Sequence, residues 1–154
     1  MKSRLDYKQV APHGVQALAH LEAYVRGCGL ERSLLELVKL RASQLNGCAY
    51  CVDMHTQDAR AAGESEQRLY ALSVWRETPF FTDRERSALL WTETVTRIGD
   101  DQVPDSVYDA VRRHFNEKEL VDLTFAVIVI NGWNRLAISF RAVPGTYHAH
   151  ASAT

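Results

Sequence analysis

The spacing of apolar residues constrains this fold most, because it is helical along almost the whole chain. From Val15 to Cys28, apolar residues recur every three or four positions, as on one face of an α-helix. The same spacing, with the Gly, Pro and capping residues that interrupt it, predicts further helices at about residues 31–45, 48–62, 65–75, 82–98, 104–115 and 116–141. We therefore expect an all-α fold of about six to seven helices.

One segment opposes this interpretation. Residues 123–130, LTFAVIVI, are rich in β-branched residues and taken alone predict a buried strand. We favour a helix, because no other convincing strand is available to pair with it. A helix that is apolar on all sides is buried, either at the centre of the domain or at a subunit interface. Further along it, Trp133, Asn134 and Arg135 are expected at a subunit contact, or else at a substrate pocket.

The length and composition fit one ordinary globular domain. The 154 residues are 46% hydrophobic and 24% charged, and we expect one core over about residues 31–142 and a flexible tail over 145–154. A net charge of -1 without a basic stripe argues against a nucleic-acid partner. The N-terminal residues lack the apolar run of a signal peptide, and the longest such run, Phe125 to Ile130, is too short to cross a membrane. Three cysteines favour reduced thiols and a cytoplasmic location.

Two cysteines and a histidine stand close together in NGCAYCVDMH, residues 46–55. At about 100° per residue, Cys51 lies about 60° from Cys48 and His55 about 40° from Cys51, so the three share one helix face. The first turn of a helix favours a thiolate, through its unpaired N–H groups and the helix dipole. His55 lies four residues after Cys51 and is placed as its base. Cys48 is then placed to resolve an oxidised Cys51 as a disulfide.

Three interpretations of this segment stay open from spacing alone: a dithiol redox centre, a zinc site, and two buried cysteines beside a core histidine. A structural zinc site needs four ligands, and Glu36 or His114 would have to be the fourth, because no second C-x-x-C or H-x-x-x-H pair is present. Free cysteines are also often buried without chemistry.

Glu36 has two interpretations of its own. It lies twelve residues before Cys48 and could orient His55 once the two helices pack. It also completes the pattern S-x-x-E from Ser33, which is typical of a capping box at a helix N-terminus.

The segment ELVKLRASQLNGCAYCVDMHTQDARAAG resembles the core motif of the carboxymuconolactone decarboxylase-like family, in its AhpD-like alkylhydroperoxidase branch. The family pattern is a glutamate, eleven residues and then C-x-x-C-x-x-x-H, and Glu36, Cys48, Cys51 and His55 match it position by position. INGWNRLAISFR, residues 130–141, is similar to the C-terminal helix of this branch. The resemblance spans roughly residues 31–142.

The resemblance implies an all-helical AhpD-like fold and thiol peroxidase chemistry, with no cofactor and no metal. A relay from Glu36 through water to His55 would deprotonate Cys51, which would attack a peroxide and become a sulfenic acid. Cys48 would give a proton to the leaving oxygen and then close the Cys48–Cys51 disulfide. An external dithiol, on a thioredoxin-like or lipoyl-type protein, must then reduce that disulfide.

Two features depart from the branch. AhpD itself has a longer chain with a second, degenerate helical unit and often a histidine between the cysteines, whereas this chain has one unit and Tyr50. Single-unit chains of the family usually form trimers or hexamers, so we expect a homo-oligomer that buries the last helix. The decarboxylase branch lacks the C-x-x-C pair, so lactone decarboxylation is not expected. The alternatives are a redox-sensing module whose disulfide changes assembly, and a zinc-binding structural protein.

Overall fold

A computed structural model describes residues 2–149, apart from the side chain of Asp100, and within them the fold is all-α with no β-strand. Its helices are α1 Tyr7–Val10, α2 Pro12–Gly27, α3 Arg32–Asn46, α4 Ala49–Ala61, α5 Glu66–Ala71, α6 Asp83–Thr96, α7 Ile98–Asp101, α8 Asp105–Arg112 and α9 Glu117–Phe140, with a 3-10 helix at Leu72–Glu77. α1 and α7 have only four residues each. The other α-helices in the described part of the chain number seven, in agreement with the predicted six to seven. The predicted all-α fold class is confirmed.

Capping residues identified in the sequence set the ends of three of the longer helices. Gly47 ends α3 in the left-handed conformation, with φ 69° and ψ 30°. Thr82 and Glu85 form a complete capping box at the start of α6, and Asn116 and Glu119 form another at the start of α9. In each box the first side chain accepts from a backbone N–H and the glutamate accepts from the backbone of the cap.

The capping box predicted at Ser33 and Glu36 is wrong. α3 begins two residues earlier than this box requires, at Arg32, and its N-cap is Glu31, whose side chain makes no capping hydrogen bond. Both residues of the predicted box therefore lie inside the helix. The side chain of Glu36 therefore does not cap α3 and instead contacts His55 of α4.

Two other predicted helices are shorter than expected. α6 ends at Thr96, because Arg97 leaves the helical conformation, and α7 begins at Ile98 instead of ending there. The helix predicted over residues 65–75 divides into α5 and the 3-10 helix. Val74 interrupts the regular path with φ -121° and ψ 28°.

α3 is the central helix, packed against α4, α6 and α9. On one side it contributes to a core shared with α2, α6, α8 and α9, which includes Leu34, Val38, Trp91, Phe115 and Val127. On the other side it meets a second core shared with α4, α5, the 3-10 helix and α6, which includes Leu37, Leu40, Leu69, Leu72 and Leu89. A helix buried on two sides can hold polar side chains only where partners reach them.

The segment LTFAVIVI lies inside α9, which confirms the helical prediction over the strand. Leu123, Val127 and Ile130 are buried, whereas Phe125 and Ile128 are 36% and 48% exposed on the opposite face. α9 is long and apolar enough to cross a membrane by length and composition alone, with a mean hydropathy of 1.4 and 39% of its most apolar window buried. This is weak evidence for a membrane span, because the core helix of a soluble protein meets the same criterion.

We predict that Gly47→Ala and Gly14→Ala change stability in opposite directions. Gly47 has a positive φ, so a Cβ there costs roughly 1–2 kcal/mol. Gly14 lies in α2 with open space around the added Cβ, so the same change should stabilise the fold by about 0.5–1 kcal/mol. Urea unfolding measures both. Equal destabilisation by the two substitutions would show that the turn after α3 is not the constrained position.

Candidate active site

The two cysteines lie where α3 ends and α4 begins. Cys48 is the N-cap residue of α4, and its backbone N–H donates to the carbonyl of Ser43 at 3.0 Å, across the Gly47 turn. Cys51 lies in the first turn of α4. The pair is joined as a disulfide with Cα atoms 5.4 Å apart, within the usual range for such bonds. The structure thus brings the predicted cysteine pair together at a helix N-terminus.

Glu36 of α3 meets His55 of α4 directly. Its Oε2 lies 2.9 Å from Nδ1 of His55, so the contact predicted to run through water is direct. Burial raises the pKa of Glu36, whereas the hydrogen bond from His55 and the charges of His55 and Lys39 lower it. The lowering effects together are larger, so the net pKa lies below the ordinary value. The carboxylate is therefore ionised near neutral pH and only accepts, so Nδ1 donates. Nε2 of a neutral His55 is then free to take a proton.

A cavity of about 410 Å³ opens beside this pair, in the size range of small-molecule sites. Cys51, His55 and Glu36 line it, whereas Cys48 does not. Cys48, Cys51 and Ala137 of α9 form one small buried cluster, in which the cysteines are 1% and 2% exposed. The rest of the wall is mainly aromatic and apolar, and includes Tyr7, Tyr50, Met54, Trp133, Ala137 and Tyr147. Of the two buried cysteines, Cys51 is thus the one that borders the cavity.

The third interpretation, two inert cysteines beside a core histidine, explains only part of this arrangement. Both cysteines and His55 are buried, as that interpretation expects. However, Cys51 and His55 face a cavity together with an ionised carboxylate, which a purely structural core does not require.

A buried lysine that the sequence analysis missed borders the same cavity. The Nζ of Lys39 lies 2.5 Å from Oε1 of Glu22, on α2, and 3.9 Å from Oε1 of Glu36. Its side chain is only 2% exposed. Glu36 thus has a histidine at one carboxylate oxygen and an ammonium near the other.

Lys39 belongs to a polar stripe on α3, which we define as Glu36, Lys39, Ser43 and Asn46. Their spacing of three, four and three places them within an arc of about 80°. Further along the stripe, Asn46 donates to Asn134 at 2.8 Å and to Asn131 at 3.0 Å, and Asn134 donates to Ser43 at 3.0 Å.

The stripe corrects the predicted role of one residue in α9. Asn134 is fully buried inside this chain and bonded to the stripe, so it is not a subunit contact. Trp133 lines the cavity, which was the second alternative for this group of residues. Arg135 is exposed and donates to Asn131 in the preceding turn.

The C-terminal segment also reaches the site. Although the sequence predicts a flexible tail from residue 145, the backbone N–H of Gly145 donates to Asp53 at 2.8 Å, and the hydroxyl of Tyr147 donates to Asp58 at 2.6 Å. Burial and the bond to Asp58 raise the pKa of Tyr147 to about 12. Tyr147 thereby closes one side of the cavity. Residues 150–154 of the predicted tail lie outside the described residues.

The structure does not form the predicted zinc site, because the two sulfur ligands, Cys48 and Cys51, are bonded to each other. Among the described residues, Glu36, His55 and Asp58 hold potential ligand atoms within 4.8 Å of one another, but this group contains neither cysteine. Glu36 already bonds to His55, and Asp58 to Tyr147. His114 lies at the end of α8, where its carbonyl accepts from Arg84, away from the cavity.

The fold and site define an all-helical protein with a buried C-x-x-C disulfide beside a Glu–His pair. The chain belongs to the carboxymuconolactone decarboxylase family, whose family model matches residues 11–94. The resemblance noted in the sequence to this family and to its AhpD-like branch is confirmed.

Relatives of known sequence or structure agree with this membership. The chain is 43% identical over 139 residues to the uncharacterised protein YdfG of Bacillus subtilis, covering 90% of this chain and 95% of that protein. A crystal structure from Agrobacterium tumefaciens has a TM-score of 0.91 at 43% identity and covers 95% of this chain and 100% of its own. That protein has no known function, and an antioxidant defence role of the AhpD type has been suggested for it.

A more distant structure shares the fold alone. It is an AhpD-core, peroxidase-related protein from Ralstonia eutropha JMP134, with a TM-score of 0.79 at 20% identity. It covers 90% of this chain and 74% of its own. The fold is thus retained where most of the sequence has changed.

We predict that Tyr147→Phe loosens the C-terminal segment. Loss of the hydrogen bond to Asp58 should cost about 1 kcal/mol and speed amide exchange at Gly145. Tyr70→Phe is the matched control, because it removes a bond to Glu66 at a side chain that is 73% exposed, and should change stability by less than about 0.5 kcal/mol. Hydrogen–deuterium exchange and urea unfolding measure both effects. Unchanged exchange at Gly145 would contradict the anchoring role of Tyr147.

Proposed function

We propose that this chain is a thiol-dependent peroxidase in which Cys51 attacks the peroxide. The observation that carries the proposal is the shared cavity, which Cys51 lines beside His55 and Glu36, whereas Cys48 does not line it. A nucleophile with a base within reach, and a third group that orients the base, is the usual arrangement for activating a thiol. The family membership, and the antioxidant defence role suggested for the Agrobacterium tumefaciens protein, support it.

The first step forms a sulfur–oxygen bond. Glu36 accepts from Nδ1 of His55, and Nε2 takes the proton of the Cys51 thiol. The thiolate attacks the terminal oxygen of a hydroperoxide, ROOH, and the O–O bond breaks. Cys51 becomes a sulfenic acid, and the leaving alkoxide takes a proton from the Cys48 thiol and departs as ROH. The peroxide is reduced by two electrons.

The second step forms the disulfide that the structure contains. The Cys48 thiolate attacks the sulfur of the Cys51 sulfenic acid, and the hydroxyl leaves as water with the proton held on His55. An external dithiol then reduces the disulfide by two electrons and is itself oxidised to a disulfide. The site contains no other electron donor among the described residues, so the reductant has to be external. We propose a thioredoxin-like or lipoyl-type protein, because each of these carries a dithiol.

Substitution of each cysteine separates the steps. With a panel of hydroperoxides and dithiothreitol as the dithiol, we expect Cys51→Ser to lower dithiol oxidation to the uncatalysed rate. We expect Cys48→Ser to leave a sulfenic acid on Cys51, which dimedone traps and mass spectrometry locates. Cys28→Ser is the matched control, because Cys28 is the one free cysteine among the described residues and lies at the end of α2.

The outcomes distinguish the alternatives. Peroxide consumption that survives Cys51→Ser would show that the proposal is wrong. Full oxidation of the pair with almost no turnover, together with a change in oligomer size, would replace it by the redox-sensing function.

We further propose that the chain forms a homo-oligomer, a trimer or hexamer, through the outer face of α9. Val121, Phe125 and Ile128 follow one another at spacings of four and three on this face and are between 36% and 54% exposed. Tyr24 of α2 extends the face by an edge contact with Phe125. Such contiguous apolar surface is typical of subunit contacts.

Charge on this face should dissociate the oligomer. We expect the double substitution Phe125→Glu and Ile128→Glu to give a monomer by light scattering after size-exclusion chromatography. Tyr70→Glu is the control, since Tyr70 is also exposed, at 73%, but lies on α5. An assembly that survives the double substitution must use another surface.

A further inference from the structure

The buried ammonium of Lys39 is a charged group beside the site that the peroxidase steps leave unused. It lies on α3, one turn from Glu36, and its side chain is 2% exposed. A lysine at an apolar helix surface normally extends its charge to solvent. Lys39 instead holds its charge against Glu22, at 2.5 Å, on the wall of the cavity.

Keeping this charge buried is unfavourable unless its partners are well placed. Removing an ammonium from water costs several kcal/mol, and a single carboxylate seldom repays that cost. Two carboxylates flank Lys39: Glu22 in direct contact and Glu36 at 3.9 Å. The series Glu22, Lys39, Glu36 and His55 therefore alternates in charge when His55 is protonated, and it ends on the helix that carries Cys51.

Other charged and titratable groups border the same cavity but stand in different relations to Glu36. α1 contributes Tyr7 and Lys8, α2 contributes Glu22 and Arg26, α4 contributes Tyr50, His55 and Asp58, and the C-terminal segment contributes Tyr147. Arg26 contacts Glu22 at 3.3 Å with its own side chain 73% exposed, so solvent screens much of its charge. The carboxylate of Asp58 lies within 4.8 Å of Glu36 and His55 and accepts the hydrogen bond from Tyr147. Besides His55, Lys39 is thus the buried cation that acts on Glu36.

We propose that Lys39 is a positioning residue for the Cys51 site, whose buried ammonium, held by Glu22, fixes the Glu36 carboxylate and thereby orients His55 as the base for Cys51. The inference rests on the proposed function, in which His55 takes the thiol proton. Lys39 acts through its contact with Glu36 and through its positive charge on the cavity wall that Cys51 lines. The negative charge of Glu22 on the same wall has the opposite effect on the thiolate.

The direction of each effect follows from these charges. Without Lys39, the pKa of Glu36 rises, but the hydrogen bond from His55 still lowers it, so Glu36 remains ionised near neutral pH. The Cys51 thiolate nevertheless loses a positive charge from the wall of the cavity that it lines, so it forms only at higher pH. Without the charge of Glu22, a negative charge is lost from the same wall, and the thiolate forms at lower pH.

The test is the pH profile of Cys51 alkylation in the reduced protein. Iodoacetamide is the probe, and every variant carries Cys28→Ser and Cys48→Ser so that Cys51 is the reacting thiol. We expect Lys39→Met to move the profile up by about one pH unit and to slow alkylation at pH 7 about tenfold. Lys39→Arg should restore most of the rate, since it keeps the charge. Glu22→Gln should move the profile down.

Two further variants separate this effect from a loss of structure. Lys2→Met removes the same charge from an exposed N-terminal residue and should leave the profile in place. The double variant Lys39→Met with Glu22→Gln removes the buried pair without leaving one unpaired charge, so it provides a second test in a protein with less disturbed packing. Its profile should lie between those of the wild type and Lys39→Met.

Opposite shifts for Lys39→Met and Glu22→Gln support the proposal, because disruption of the site would move both in one direction. Equal profiles for the wild type, Lys39→Met and the double variant would overturn it.

Alkylation needs no peroxide and no turnover. A protein that lacks peroxidase activity but shows the opposite shifts would therefore disprove the proposed function alone.

Discussion

The contact between Glu36 and His55 is the interaction on which the site depends, and it requires α3 and α4 to fold back on each other. The left-handed Gly47 ends α3 and lets α4 start two residues later, so the two helices pack side by side. Glu36 and His55 are then brought together across nineteen positions of sequence. The same turn places Cys48 at the start of α4, where its N–H bonds back to α3. The turn at Gly47 thus determines the positions of both cysteines and of His55.

The polar stripe shows how the domain tolerates charge in its centre. α3 is buried on two sides, yet each member of the stripe meets a partner on a different helix: α4 for Glu36, α2 for Lys39 and α9 for Ser43 and Asn46. Among the described residues, no buried side-chain nitrogen or oxygen lacks a partner. Because an unpaired group would cost about 1–3 kcal/mol, these bonds also fix the register of α3 against its neighbours.

Much of this could be predicted from the sequence, because the signals are local. Glycine after a helix, capping boxes and the C-x-x-C-x-x-x-H spacing each act within one or two turns. The contribution of Glu22 could not be predicted, since it lies on α2 and only tertiary packing brings it to Lys39. A lysine inside an apolar helix is ordinarily solvated, although the three-four-three spacing of the stripe was an available signal. Tyr147 lies in a segment whose composition favours a tail, and its docking depends on aspartates far back in α4.

The two cysteines differ more than helical spacing alone predicts. Placed on an ideal helix, they share one face, but Cys48 is the N-cap, with φ -83° and ψ 92°, and lies outside the helical path. Cys48 does not line the cavity, whereas Cys51, in the first turn of α4, does. A residue at the cap cannot follow the helix face, because its backbone has to turn into the preceding loop. The asymmetry between the two thiols is therefore a consequence of where α4 begins, and the Gly47 turn sets that position.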